Sequence, residues 1–236
     1  MSGQGLLMKV LIIIPAYNEA ENICKVVDNI VRNFPQYDYV VINDASTDSM
    51  GEILQKKSYC YLDQPINLGI GGTVQNGYQY ARDNGYDVAV QLDGDGQHDV
   101  KYLETMLQKI ENDEADIVIG SRFLEKEGFQ SSFLRRTGIA ILSMIIKLCT
   151  WKRIKDVTSG FRAVNRRFIN IYAKDYPEPE AIVAAIMHRG RIVEVPVIMN
   201  ERVHGESSIN FPKSVYYMIK VVLALFICRI SFGFRR

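Results

Sequence analysis

Apolar positions along this chain recur in two rhythms. Residues 9–14 form a β-branched run closed by Pro15, the pattern of a strand buried on both faces of a parallel sheet. Within residues 18–33, Ile23, Val26, Val27, Ile30 and Val31 return at spacings of three and four, which predicts an amphipathic helix. The alternation continues with a strand at 38–43, a helix at 49–57, a short strand at 59–62 and a helix running through Asn84. Strand 88–92, helix 100–111 and strand 116–120 follow. Repeated β-α units imply an α/β fold, a mostly parallel sheet flanked by helices. Ligands of such sheets bind beyond the carboxyl ends of the strands. Here those ends carry Tyr17-Asn18-Glu19, Asp44 and Asp93-Gly94-Asp95.

The second half differs in kind. Residues 138–151 are apolar except for Lys147, and Arg135-Arg136 and Lys152-Arg153 flank them. Such a segment suits either the headgroup boundary of a membrane or the interior of the domain, and both readings stay open. Near the C-terminus, Val215, Met218, Ile219, Val222, Leu223, Phe226 and Ile227 fall on one helical face, with Lys213, Lys220, Arg229, Arg235 and Arg236 nearby. This predicts an interfacial amphipathic helix drawn to anionic lipid. It is too short to span a bilayer, which takes roughly 20 apolar residues. A small membrane-spanning partner, or a second copy of the chain, is the company such a helix would keep. The expected organisation is an N-terminal extension at 1–8, one domain at 9–210 and a membrane-associating helix at 211–236. No secretory signal is expected at the start, and Met8 resembles a second initiation point.

Composition narrows the class. With 236 residues, 47% hydrophobic and 23% charged, the chain is neither disordered, collagen-like nor a disulfide framework. Cys24, Cys60, Cys149 and Cys228 are scattered with no C-x-x-C, so they read as buried, reduced thiols of a cytosolic protein. The net charge of +1 conceals an asymmetry. Residues 1–118 carry 18 acidic and 8 basic side chains, and residues 119–236 carry 9 and 20. One half suits a cation, and the other suits a phosphate or an anionic surface. No nucleic-acid partner is expected.

Two carboxylates two residues apart after a strand, as in Asp93-Gly94-Asp95, can share a hard divalent cation, with glycine letting the backbone come close. Mg²⁺ or Mn²⁺ held in this way keeps positions open for diphosphate oxygens. The alternative is a plain Asp-Gly turn. No Cys/His cluster supports zinc, and EF-hand spacing does not continue after Asp99. Asn67-Leu68-Gly69-Ile70-Gly71-Gly72 is a glycine-rich loop that matches neither the P-loop nor the dinucleotide fingerprint.

Six segments in order then become specific: Pro15-Ala16-Tyr17-Asn18-Glu19, Asn43-Asp44-Ala45-Ser46-Thr47-Asp48, Asn67-Leu68-Gly69-Ile70-Gly71, Asp93-Gly94-Asp95-Gly96-Gln97-His98, Gly120-Ser121-Arg122-Phe123 and Asp156-Val157-Thr158-Ser159-Gly160-Phe161-Arg162. Over residues 9–210 the chain resembles the family 2 glycosyltransferases of the GT-A fold, within them the dolichol-phosphate mannose synthase-like group. The resemblance implies that Pro15, Tyr17, Glu19 and Asp44 hold the base and ribose of a UDP- or GDP-linked sugar, with Gly94 beside them. It implies that Asp93, Asp95 and Gln97 hold Mg²⁺ or Mn²⁺. Arg122 and Arg136 match arginines that grip an acceptor phosphate, and Arg202 matches one near the donor diphosphate. Ser208 stands where the family often has Lys. Asp156 and Asp95 match catalytic positions, Asp156 either as a base or as a group that orients the nucleophile or the arginines. Glu178 and Glu180 are secondary candidates, or acids favouring a helix start. His98 and His204 adjoin motifs, and His188 reads as structural. The implied reaction is an inverting, metal-dependent transfer of a sugar to a polyprenyl phosphate (undecaprenyl or dolichyl) at the cytosolic membrane face, for cell-wall or surface glycan synthesis. A same-fold enzyme extending a polysaccharide, or a non-catalytic nucleotide-sugar-binding protein, are the alternatives.

Overall fold

A computed structural model describes residues 8–125, 133–175, 181–200 and 223. The fold is built outward from β1 (Val10–Ala16), buried along its whole length. Its alternate side chains feed two cores: Leu11 and Ile13 face one, Val10, Ile12 and Ile14 the other. That division is why the run reads as continuously apolar. β2 (Asp38–Asn43) and β4 (Val88–Gln91) flank β1 in parallel, and β3 (Tyr61–Asp63) lies parallel outside β2. The seven strands are ordered β3-β2-β1-β4-β6-β5-β7.

Helices α1 (Ile23–Asn33), α2 (Met50–Lys56) and α4 (Leu103–Glu111) cover one face. On the other lie α3 (Gly69–Asp83), α5 (Phe133–Thr150), α6 (Arg166–Tyr172) and α7 (Ala181–Met187). α3 sits flush on β1 because Gly77 has no side chain. A Cβ there would come within 2.2 Å of Ile13 Cγ2.

The sequence pattern stopped short of the last two strands. β6 (Arg162–Asn165) runs antiparallel between β4 and β5 (Ile117–Ser121), and β7 (Ile192–Pro196) pairs parallel with β5. Because β6 is reversed, it begins at the rim where β1, β2, β4, β5 and β7 end: Arg162 pairs with Gln91 and Ile119, and Ser121 with Pro196. The segment after β7 then crosses the rim, where Met199 bridges His98.

Helix α5 is core on one face and carries exposed apolar residues on the other. Ile139, Leu142 and Ile146 enter the core, while Ile141, Met144 and Leu148 remain exposed on the opposite face. Trp151, at φ 60° just past the helix, is 88% exposed. No helix among the described residues is long and apolar enough to cross a membrane. The predicted C-terminal helix lies outside the described residues except for Leu223, which is helical and exposed. One expectation is corrected. Cys60 is exposed and Cys24 half-buried rather than buried, because Cys60 immediately precedes the edge strand β3.

Candidate active site

The rim is assembled from the turns that follow the strands. After β1, Asn18 adopts φ 56°, and its side-chain oxygen accepts hydrogen bonds from Thr47 N (2.8 Å) and Asp48 N (3.3 Å). The loops after β1 and β2 are thereby locked together. Beside this lock Tyr17 is 44% exposed, while Glu19 is buried and accepts from Asn22 Nδ2 at 2.7 Å. Asp44 is also buried. Its carboxylate receives Leu68 N at 2.7 Å and Gly69 N at 3.0 Å, the entry to α3. The glycine-rich loop therefore holds a carboxylate of its own chain, and the free amides at a helix start explain why it does so.

After β4, Gly94 passes so close to β1 that a Cβ would lie 3.1 Å from that of Ala16. Asp93 lies 3.5 Å from His98 Nε2, with Gln91 Nε2 at 3.4 Å from its other oxygen. Gly160 cradles the same carboxylate, since a Cβ there would fall 2.3 Å from Asp93 Oδ2. Burial pushes the Asp93 carboxyl up, but His98, Gln91 and the Arg162 guanidinium outweigh it and hold the carboxyl below the usual range. Asp95 caps its own turn by accepting from Gln97 N at 3.0 Å. Gln97 donates its amide to Asn200 O at 3.2 Å.

No group of three or more His, Cys, Asp or Glu capable of holding a metal occurs among the described residues. Two carboxylates and an amide oxygen are the donor set of a hard cation that draws its remaining ligands from water and phosphate. These residues fit Mg²⁺ or Mn²⁺ shared with a substrate, and they do not fit a fully enclosed structural metal.

On the other side of the rim, Asp156 is fully buried and clasped by Arg122, itself 7% exposed. Arg122 donates from Nε to Oδ2 and from Nη2 to Oδ1, both at 2.7 Å, and its backbone N–H adds a third bond at 3.0 Å. Nη2 also reaches Thr158 Oγ1 at 3.0 Å, and Nη1 lies 3.8 Å from Met199 Sδ. Glu194 of β7 accepts the backbone N–H groups of Lys155 and Asp156 at 2.9 and 2.8 Å, fixing the loop that carries the aspartate.

The structure thus brings Pro15, Tyr17, Glu19, Asp44, Asp93, Gly94, Asp95, Gln97, Arg122 and Asp156 to one rim. Arg136 falls in the first turn of α5. Arg202, His204, Ser208, Glu178 and Glu180 lie outside the described residues. Sequence reasoning gave no role to Glu194, Gly160 or Arg162. Gly160 and Arg162 stood inside a quoted motif, whereas Glu194 had no signal beyond a lone acid in an apolar strand.

A mostly parallel seven-stranded sheet flanked by helices, with acidic loops at one rim, places the chain in the α/β class. The family model for glycosyl transferase family 2 matches residues 11–171, and the chain belongs to that family; it is a glycosyltransferase. Over 216 residues it is 30% identical to an undecaprenyl-phosphate mannosyltransferase of Micrococcus luteus, covering 86% of this chain and 88% of the relative. It is 28% identical over 215 residues to a UDP-N-acetylglucosamine–dolichyl-phosphate N-acetylglucosaminyltransferase of Methanococcus voltae, covering 80% and 84%. Among solved structures, glucosyl-3-phosphoglycerate synthase from Mycobacterium tuberculosis in complex with Mn²⁺ and UDP-glucose matches with a TM-score of 0.65 at 14% identity, covering 94% of this chain and 79% of that one. The last likeness establishes the GT-A-like fold.

Proposed function

We propose that this chain transfers a hexose from a UDP- or GDP-linked donor to a polyprenyl phosphate, with inversion, at the cytosolic surface of a membrane. One observation carries the reading. Helix α5, whose outer face exposes Ile141, Met144 and Leu148, leads through Trp151 and the basic Lys152-Arg153 into the Asp156 loop of the rim. An apolar, basic surface continuous with a phosphate-handling site suits a substrate with a lipid tail and a phosphate head. The names of the curated relatives support the same acceptor class.

In this reading Pro15, Tyr17, Glu19 and Asp44 bind the nucleoside, and Arg202 would bind the donor diphosphate. Asp93, Asp95 and Gln97 would hold Mg²⁺ or Mn²⁺, which supplies charge neutralisation at that diphosphate. Arg122 and Arg136 bind the acceptor phosphate. Asp156 is a positioning residue, because both its oxygens are taken by Arg122 and it fixes the guanidinium plane. An acceptor phosphate oxygen is already anionic, so it attacks the anomeric carbon without surrendering a proton. The bond to the donor phosphate breaks, and the nucleoside diphosphate leaves. Guanidinium forks match phosphate oxygens and hold the two reactants in line.

The test is to incubate the protein with polyprenyl phosphate, Mn²⁺ or Mg²⁺ and a panel of labelled nucleotide sugars, and then to extract lipid. Label should enter the lipid phase, and excess chelator should abolish this. Label found only on an aqueous oligosaccharide acceptor would instead indicate polysaccharide extension.

A further inference from the structure

Gln64 is the residue that neither the motifs nor the mechanism uses. It is 93% buried, and among the described residues neither its side-chain oxygen nor its nitrogen has a hydrogen-bond partner, although both atoms are out of contact with solvent. Burying both ends of a carboxamide without partners is costly, and native proteins keep such groups where another task requires them. The position suggests the task. Gln64 follows β3 at the rim, and its backbone N–H binds Asn43 O at 2.9 Å, beside Asp44. It also opens the segment whose far end Asp44 holds through Leu68 N and Gly69 N.

We propose that Gln64 is a specificity-determining residue that reads the hydrogen-bonding edge of the donor's base. Resting on the nucleotide-sugar reading above, this deepens it by assigning the base contact. A carboxamide presents one acceptor and one donor side by side. It pairs in two-point fashion with an adjacent N–H and C=O, the edge shared by uracil and guanine. A nucleoside that donates hydrogen bonds to Asp44 competes with the amides of Leu68 and Gly69. Loosening their hold frees the segment that Gln64 opens. The unpaired amide is then satisfied only when the base is present, so the cost of leaving it unpaired in the free protein becomes selectivity in the complex.

The experiment is calorimetric titration of the full chain, in Mn²⁺, with UDP, GDP and inorganic pyrophosphate, for wild type and Gln64→Leu. Leucine fills similar space without polar atoms. The variant should lose about tenfold or more in affinity for whichever nucleoside diphosphate wild type prefers. Its affinity for pyrophosphate, which has no base, should not change. Its ligand-free Tm should rise by about 2–4 °C as the unpaired amide disappears. Wild-type affinity of Gln64→Leu for the nucleotide would overturn the proposal. So would an equal loss for nucleotide and pyrophosphate, which would mark a general structural role. If Gln64→Leu does not fold, Gln64→Glu, which keeps the acceptor and removes the donor, decides by the same comparison. A wild-type protein that binds pyrophosphate but neither nucleotide would refute the donor assignment itself, separately from the role of Gln64.

Discussion

Asp156 has no contact with solvent, so the worth of its hydrogen bonds to Arg122 is set by what either group would suffer alone. Breaking a buried ion pair by removing one partner leaves an uncompensated charge and costs about 3–5 kcal/mol. Asp156→Ala is therefore expected to lose stability on that scale in urea unfolding. Arg122→Met combined with Asp156→Leu should recover most of it while remaining inactive, which separates structural from chemical roles. Gly160 makes a second residue-scale prediction. Any Cβ there would collide with Asp93, whose carboxylate must move. Gly160→Ala should weaken Mn²⁺-dependent nucleotide binding by about tenfold or more, read by titration with UDP or GDP, because a site loosened by 1 Å loses its geometry. The carboxylates of the rim and Arg122 were singled out in the sequence because their types and order suggest chemistry. Their partners were not. Arg122 to Asp156 and Asp156 to Glu194 join residues more than thirty apart, and only the sheet order brings them together.

At the scale of elements, legibility followed apolar runs. β1, β2 and β4 were readable because each carries an unbroken run of three or more apolar residues (residues 10–14, 39–42 and 88–90), whereas β6 has only Ala163 and Val164 between Arg162 and Asn165. Nothing local marks such a strand; its neighbours define it. Helix α5 was ambiguous because it does two things at once, one stripe in the core and another exposed. At its end Trp151, the chain's one tryptophan, sits at φ 60°, a conformation that a bulky residue adopts at a cost. Strain in an exposed aromatic is consistent with a task at a surface. Trp151→Gly should relieve about 1 kcal/mol of that strain and raise Tm. It should also reduce cosedimentation with anionic vesicles. In the wild type, Trp151 fluorescence should shift to the blue on adding those vesicles. Unchanged emission and sedimentation would remove α5 from the membrane contact.

Across the whole molecule, the candidate site lies at one end of the sheet, and a carboxylate outside it pins the other. The rim gathers the acidic loops at the carboxyl ends of the strands, while the far end is pinned by Asp116, just before β5. One of its oxygens accepts from Asn165 Nδ2 at 2.9 Å and the other from Arg191 N at 2.8 Å, so a single carboxylate ties β5, β6 and the start of β7 together. Arg191 Nη2 adds an ion pair at 3.2 Å. Burial pushes the Asp116 carboxyl up, but Arg191 and Asn165 outweigh it and set it below its ordinary value. A carboxyl depressed in the folded state contributes stability that is fully present above its unfolded value, near 3.9, and is lost as pH falls through the lower folded value. Wild-type Tm should therefore drop as pH is lowered from about 5 to 3. Asp116→Asn should be less stable at pH 7 by about 1–3 kcal/mol, since a charge-assisted bond is lost, and its Tm should fall less steeply over the same acid range. Because Asp116 lies a full strand length from the rim, kcat and KM at pH 7, measured well below Tm, should match wild type. A shift in KM for the donor would show that the two ends of the sheet are coupled, and an acid limb as steep as that of wild type would place the acid-sensitive carboxylate elsewhere.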